Sequence, residues 1–143
     1  MKKMLMVATV PSMIGQFNMN NIDILINLGY EVHVVCNWND RSVWTEEKIN
    51  NLKNQLEILN VKYFQIDFSR AVLDLPNHLK AYKQTIELIK KNEYAFIHCH
   101  TPIAGVIARL VCKKTNAKCI YTAHGFHFFK GGPLKSWLIF YPI

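Results

Sequence analysis

Apolar positions along the chain follow two alternating patterns. Short runs of consecutive apolar residues are separated by longer segments in which apolar residues recur every three or four positions. The short runs predict buried strands, and the longer segments predict amphipathic helices. The predicted strands cover residues 4–10, 31–36, 61–66, 94–99 and 118–122. Because strands and helices alternate, we predict an α/β fold: a Rossmann-like open parallel sheet with helices on both faces.

The helical segments carry start and stop signals. Gly29 follows segment 16–28 and supplies a left-handed stop. Thr45 is an N-cap with two glutamates after it, and Pro76 and the pair Thr101-Pro102 open the next two helices. The side chains predicted to face the core are Met19, Ile22, Leu25, Ile26, Ile49, Leu52, Leu56, Leu59, Leu79, Tyr82, Ile86, Ile89, Ile103, Val106, Ile107, Leu110 and Val111.

Size and charge narrow the function classes. The chain has 143 residues, half of them apolar, so we predict one domain over residues 1–143. A formal charge of +7 favours anionic partners such as lipid headgroups, sugar diphosphates or nucleic acid. The basic residues are scattered and are not interleaved with stacking aromatics, so we predict no nucleic-acid partner.

The cysteines and the amino terminus indicate the compartment. The four cysteines show no Cys-x-x-Cys spacing and resemble small hydrophobic residues of a reducing compartment. The first residues lack a signal-peptide cleavage site, and no apolar run reaches the length of a membrane span. We therefore predict a cytoplasmic location.

In an open parallel sheet, ligands bind beyond the carboxyl ends of the strands. Residues 11–15 follow the first strand and predict a glycine-bearing loop, in which Gly15 lets the backbone approach a phosphate just before a helix amino terminus. An ordinary turn glycine explains the same residue equally well.

Four of the six histidines stand at the ends of two neighbouring strands. His98 and His100 flank the end of the fourth strand, point to the same side, and are followed after the fifth strand by His124 and His127. A metal site and hydrogen-bonded structural histidines are alternatives for the first pair. No third ligand stands at a supporting spacing, so we predict no metal. His33 and His78 are interpreted as structural.

The carboxyl-terminal part is rich in glycine, lysine and aromatic residues. His124, Gly125 and Lys130 with the two glycines after it predict a pliable, positively charged loop at the ligand crevice, although a plain connection is the alternative. Residues 133–143 carry closely spaced aromatics beside Lys135. This segment either lies in a membrane interface or packs as an uncovered helix.

Three stretches carry a family resemblance: residues 20–36, residues 97–102 with the letters IHCHTP, and residues 121–128 with the letters YTAHGFHF followed by Lys130 and Gly131. Over essentially its whole length, the chain resembles the amino-terminal domain of glycosyltransferase family four. The members of this family are retaining enzymes with the GT-B fold, and they include many capsule and exopolysaccharide transferases. The third stretch is the most specific for the exopolysaccharide branch.

The resemblance implies transfer of a sugar from a nucleotide-diphosphate donor to a lipid-linked acceptor, with retention and without a metal or other cofactor. His124 matches the family histidine that faces the donor sugar and the reacting centre. Gly15 matches the loop near the diphosphate, where many members carry two glycines. The residues placed near the acceptor by their position are His98, His100, His127 and Lys130.

The family pattern continues after Ile143 with a second Rossmann-like domain that binds the nucleotide, and these 143 residues do not contain it. Catalysis needs donor and acceptor in one closed cleft, so we expect this chain alone to be inactive. A partner chain supplying the nucleotide sugar is the alternative, with this chain as a non-catalytic subunit that binds acceptor and recruits the enzyme to the inner face of the plasma membrane. A metal-dependent hydrolase using His98 and His100 is the third hypothesis.

Overall fold

The computed structural model describes residues 1–125 and 130–140, the side chains of 139 and 140 excepted. The strands are β1 (Lys2–Val7), β2 (Tyr30–Cys36), β3 (Lys62–Gln65), β4 (Phe96–Cys99) and β5 (Cys119–Tyr121). The helices are α1 (Pro11–Phe17), α2 (Met19–Asn27), α3 (Glu46–Ile58), α4 (Leu75–Asn92), α5 (Pro102–Thr115) and α6 (Leu134–Phe140). Each of the five predicted strands is present, with ends that differ by up to three residues.

The five strands form one parallel sheet in the order β3-β2-β1-β4-β5. Met4 in the central strand stands opposite Val32 on one side and Phe96 on the other. The chain moves outward from β1 to β3 and then crosses back to β4, so the strand order reverses between β1 and β4. Such a reversal opens a crevice at the carboxyl edge, which is where ligands bind in this architecture. The predicted fold class is confirmed.

Helices cover both faces of the sheet, each over its own core. Along β1, Leu5 and Val7 pack with the buried side chains of α4 and α5, whereas Met4 and Met6 pack with those of α1, α2 and α3. The alternation follows from the two-residue period of a strand. Because both faces of β1 are buried, its sequence is a continuous apolar run rather than an alternating one.

The predicted glycine-bearing loop over residues 11–15 is wrong, because these residues form the first turns of α1. Pro11 occupies the first helical position, where its fixed φ suits a helix, and Ile14 is fully buried beneath it. Asn18 separates α1 from α2: its backbone N–H donates to the Ile14 carbonyl and its side-chain amide to the Met13 carbonyl. The predicted helix over residues 16–28 is therefore divided at Asn18: its first two residues end α1, and most of the rest forms α2.

The predicted inner faces of α4 and α5 are wrong in part. Leu79 and Leu110 were expected in the core, but they are 56% and 54% exposed. Small side chains face the sheet instead, because they let the helices approach it closely. Those small buried residues are Ala81, Thr85, Ala104, Gly105 and Ala108.

All four cysteines are unpaired. Cys36, Cys99 and Cys112 are buried, and burial raises the pKa of the Cys112 thiol to about 12, as suits a small apolar residue. Cys119 differs from the expectation, since it is exposed on strand β5, with its Sγ 3.7 Å from the Sγ of Cys99.

Candidate active site

Three histidine rings lie side by side at the carboxyl ends of β4 and β5. The His98 and His100 ring centroids are 4.0 Å apart, and those of His100 and His124 are 5.3 Å apart. Residues two apart on a strand point to the same side, which pairs the first two rings. The parallel pairing of β4 with β5 then brings the chain after Tyr121 alongside them. The predicted grouping of histidines at the ends of these two neighbouring strands is confirmed for these three residues.

His98 is half-buried and its Nε2 lies 2.8 Å from the hydroxyl of Thr122. Burial lowers the pKa of its imidazole, and the nearby His124 lowers it further. This contact accounts for the ring as a neutral, hydrogen-bonded strand-end residue.

His100 is 1% exposed. Burial lowers its pKa to about 3, with smaller contributions from His98 and His124, so the ring is neutral at neutral pH. Its Nδ1 lies 3.1 Å from Nε2 of His124. Its own Nε2 is buried and has no hydrogen-bond partner among residues 1–125 and 130–140.

The unpaired Nε2 of His100 indicates which of the two rings donates the hydrogen bond between them. A neutral imidazole carries one hydrogen, on either nitrogen. If His124 donated to His100, the buried Nε2 of His100 would carry an unpaired N–H, and buried donors are left unpaired less often than buried acceptors. The geometry therefore favours His100 Nδ1–H donating to His124 Nε2. His124 then carries its own hydrogen on Nδ1 and is a hydrogen-bond donor there.

His124 is exposed, and its ring is flanked on both sides. The Phe17 ring, at the end of α1, lies 5.5 Å from it between centroids, and His100 lies on the other side. Phe17 was not identified from the sequence, because an aromatic at a helix end has many roles. The contact brings α1 to the edge of the histidine cluster.

Two buried threonines tie together the ends of the central strands. The Thr101 hydroxyl accepts the Thr9 backbone N–H at 3.0 Å, and the two hydroxyls are 2.7 Å apart. Thr101 was predicted as a helix cap, and it does occupy the N-cap position of α5. Its hydroxyl, however, bonds to Thr9 rather than to the helix.

Gly15 lies within α1, where the Trp44 ring covers its Cα. A Cβ placed there would collide with Cη2 of Trp44. The close approach of this ring explains the glycine in structural terms. The predicted contact of Gly15 with a diphosphate stays a prediction.

A polar pocket of about 360 Å³ lies at the carboxyl ends of β2 and β3. The histidine cluster lies at the same edge of the sheet, at the ends of β4 and β5. Lys80 contacts Asp67 at 2.7 Å, and the amides of Gln65 and Gln84 donate to the same carboxylate. These contacts, with Lys80 first, lower the pKa of Asp67 to about 2. This pocket was not predicted from the sequence, although polar residues directly after two buried strands indicate such a site. The remaining lining residues are Asn37, Asn39, Asp40, Phe68, Ser69, Arg70 and Asn77.

The last predicted site residues lie farther along the chain. Lys130 is exposed in the turn that precedes α6, and His127 lies outside the described residues. On α6, Leu134 and Leu138 are exposed.

Within residues 1–125 and 130–140, no group of three or more His, Cys, Asp or Glu side chains is arranged to hold a metal ion. In the same part of the chain, no helix is both long enough and apolar enough to cross a bilayer.

A doubly wound parallel sheet with a histidine cluster at its carboxyl edge defines a Rossmann-like domain of the kind that forms half of a GT-B glycosyltransferase. The chain belongs to the family described as "Glycosyl transferase 4-like", whose model matches residues 7–143.

Three similarities place the domain within longer proteins. The chain is 37% identical over 145 aligned positions to a Bacillus subtilis (strain 168) protein named "Putative glycosyltransferase EpsD", covering 99% of this chain and 34% of that protein. The structure of Acinetobacter baumannii MurG is similar with a TM-score of 0.63 and 14% identity, and the match covers 97% of this chain and 39% of the MurG chain. The structure of a glycosyltransferase from Rickettsia africae is similar with a TM-score of 0.66 and 17% identity, and the match covers 95% of this chain and 33% of that one. At such low identity the two structures show a shared fold alone. The chain spans about a third of the length of these relatives.

Proposed function

We propose that this chain is the acceptor-side domain of a retaining glycosyltransferase. The enzyme moves a sugar from a nucleotide-diphosphate donor to a lipid-linked acceptor during exopolysaccharide or capsule synthesis, on the inner face of the plasma membrane. The single observation that carries the proposal is His124, an exposed histidine held against the buried His100 at the carboxyl edge of a glycosyltransferase-family sheet. The name of the Bacillus relative supports the same class of reaction.

In this proposal His124 contacts the donor sugar at the reacting centre. A hydrogen on its Nδ1 suits a donor to a sugar hydroxyl, and its Nε2 is occupied by His100. An oriented imidazole N–H stabilises developing charge without having to reorganise during the reaction. We propose no metal and no other cofactor.

The polar pocket at the ends of β2 and β3 is proposed as part of the acceptor site. Sugar hydroxyls both donate and accept hydrogen bonds, and the pocket offers Asn37, the Asp67 carboxylate and the Arg70 guanidinium at one edge of the sheet. His98, His100, His127 and Lys130 are proposed nearer the reacting centre on the acceptor side. Gly15 is proposed to approach the donor diphosphate.

The nucleotide is proposed to be held by a second domain or by a partner chain, because the relatives are about three times longer than the match. On that basis this domain by itself transfers no sugar. Bringing donor and acceptor into one cleft is what converts two binding events into a reaction.

The test replaces His124 by alanine in the protein that joins this domain to its nucleotide-binding half. We expect kcat/KM for sugar transfer to fall by roughly a hundredfold or more, as is typical when a positioned hydrogen-bonding group at a reacting centre is lost. Lys118→Ala, an exposed change just before β5, is the control and keeps normal turnover. Unchanged turnover in the His124 variant would remove its assigned role.

A second measurement separates the one-chain enzyme from the split one. If activity requires a separate protein that co-purifies with this chain, the nucleotide site belongs to that partner. If one polypeptide containing this domain transfers the sugar unaided, the split enzyme is excluded.

A further inference from the structure

Three of the four cysteines lie together where β4, β5 and α5 meet. The Sγ atoms of Cys99 and Cys119 are 3.7 Å apart, so the two sulfurs are in contact. Cys112, on α5, is close enough to Cys119 for their thiols to interact. Because Cys99 stands between His98 and His100 in the sequence, its side chain points to the opposite side of β4 from theirs. The thiols therefore form a cluster of their own, separated from the histidine rings by the strand.

The three thiols differ in their access to solvent. Cys99 and Cys112 are buried, whereas Cys119 is exposed. Burial, and after it the neighbouring Cys119, raises the pKa of both buried thiols, that of Cys112 to about 12. Oxidation of cysteine follows exposure and thiolate character. Cys119 is therefore the thiol of this cluster that a dissolved oxidant reaches first.

Cys99 is placed to react with an oxidised Cys119. The two sulfurs already touch, so no part of the fold has to open before they meet. Burial raises the pKa of Cys99 most, and the positive charge of Arg109 acts in the opposite direction. A cation near a thiol favours the thiolate, which is the form that attacks another sulfur.

The backbone connects this sulfur pair to the histidine cluster. The Cys99 carbonyl accepts the Thr122 backbone N–H at 3.0 Å, and the Thr122 hydroxyl lies 2.8 Å from Nε2 of His98. His124 follows Thr122 by two residues. A disulfide would shorten the distance between the sulfurs of Cys99 and Cys119 from 3.7 Å to about 2 Å. That movement pulls on the same strand pair that positions the histidines.

We propose that Cys99 and Cys119 form a reversible redox site, in which a hydroperoxide oxidises Cys119, Cys99 captures it as a disulfide, and the new bond between β4 and β5 alters the histidine cluster. Cys119 stands opposite Ile97, so the bond joins diagonal positions on the two strands. Strained or exposed disulfides are more readily reduced than structural ones, so small thiols reopen this bond. The proposal does not rest on the transferase function.

The oxidation has two balanced steps. Hydrogen peroxide converts the Cys119 thiol into a sulfenic acid and is itself reduced to water. The Cys99 sulfur then attacks the sulfenic sulfur. An S–S bond forms, the S–O bond breaks, and the hydroxyl leaves with the Cys99 proton as a second water. A dithiol restores both thiols by two exchange steps and becomes a disulfide itself.

The test treats the reduced, purified chain with a small excess of hydrogen peroxide, blocks the remaining thiols and digests the protein with trypsin without reductant. The three thiols are separated by the digestion, since residues 92–109, 110–113 and 119–130 form peptides with one cysteine each. We expect peptides 92–109 and 119–130 to be linked at least about tenfold more than in the untreated chain, and dithiothreitol to separate them. In the same samples, the ring signals of His98 and His124 are expected to shift on oxidation and to return on reduction.

Two variants separate the roles of the two cysteines. Cys119→Ser changes an exposed residue and is expected to slow the loss of thiols to peroxide at least about tenfold. Cys99→Ala is expected to remove the link and to increase labelling of the Cys119 sulfenic acid by dimedone. The matched control is Cys36→Ala, which removes a buried thiol in the core on the other face of the sheet and is expected to leave the link unchanged. Circular dichroism checks that each variant is folded.

Four results would overturn the proposal. The first is a peroxide-treated chain in which peptides 92–109 and 119–130 stay unlinked. The second is a link from 119–130 to 110–113, which would make Cys112 the partner. The third is a main product that joins two chains through Cys119. The fourth is a fully linked chain whose histidine signals do not change. None of these readings involves sugar transfer, so the result is independent of the proposed enzyme.

Discussion

His100 Nδ1 lies 3.1 Å from His124 Nε2, and the first of these rings is buried while the second is exposed. The buried ring has a pKa of about 3 and stays neutral, so it acts on the exposed one through a hydrogen bond and not through charge. Its other nitrogen has no partner within the part of the chain that the structure describes, and an unpaired buried nitrogen destabilises the fold. Polar groups kept at such a cost are a feature of functional sites.

Replacing His100 by leucine separates the structural from the positioning role of this ring. The change removes a buried unpaired nitrogen, so we expect the free energy of unfolding to stay the same or to rise by about 1 kcal/mol. His124 loses the donor that selects its tautomer. Long-range ¹⁵N–¹H spectra are expected to show the His124 hydrogen on Nδ1 in the wild type, and a mixture of the Nδ1–H and Nε2–H tautomers in the variant. Transfer by the longer protein is expected to fall even though the fold is as stable. An unchanged His124 tautomer would contradict the assigned bond.

Stability is expected to fall when the pH drops below about 6.5. Folding lowers the pKa of His33, His98 and His100, mainly by burial, from the ordinary value of 6.5. Between the folded and the unfolded pKa the unfolded chain binds more protons, so this stabilisation is complete above 6.5 and is lost toward pH 3.

Carboxylates change the free energy of unfolding in a lower pH range than the histidines do. The pKa of Glu31 and that of Asp67 are held at about 2 by their partners, first by Lys62 and Lys80 respectively, so their contribution is lost only below the ordinary carboxyl values of 4.5 and 3.8. Urea midpoints measured between pH 7 and pH 5 therefore report the histidines. His100→Leu is expected to reduce the change of the urea midpoint with pH over this range. An equally large change in the variant would contradict a buried, neutral His100.

Tyr94→Phe tests a second buried network. His33 donates from Nε2 to Glu31 at 2.9 Å, so its Nδ1 accepts from the Tyr94 hydroxyl at 2.8 Å. Removing that hydroxyl leaves a buried acceptor unpaired, and we expect a loss of about 1–3 kcal/mol in urea unfolding. Tyr63→Phe, whose hydroxyl donates to Glu57 at the surface, is the matched control and is expected to cost less than about 0.5 kcal/mol. Equal losses in both variants would contradict the network.

Gly15→Ala tests whether Trp44 explains the glycine. The new methyl group collides with the indole, so we expect a loss of about 1 kcal/mol and altered tryptophan fluorescence. In a Trp44→Ala background the collision is gone, and the better helix propensity of alanine is expected to add about 1 kcal/mol. The same effect in both backgrounds would show that the ring does not restrict this position.

The strands, their parallel arrangement and the grouping of His98, His100 and His124 could be predicted from the sequence. Buried strands leave long apolar runs, and residues that follow parallel strands collect at one edge whatever the details of packing. The helical cores were predicted less well. Periodicity points to large apolar residues such as Leu79 and Leu110, whereas a close helix–sheet contact selects Ala81 and Ala104.

The sequence by itself determined the family, the order of the elements and the identity of the histidines, because these depend on local pattern and chain order. Only the tertiary structure decided that His100 is buried behind an exposed His124, that Trp44 covers Gly15, and that α4 and α5 leave an apolar groove between them. Each of these relations joins residues that are distant along the chain or lie on different elements. Their contacts depend on how closely the elements pack, which a one-dimensional pattern does not specify.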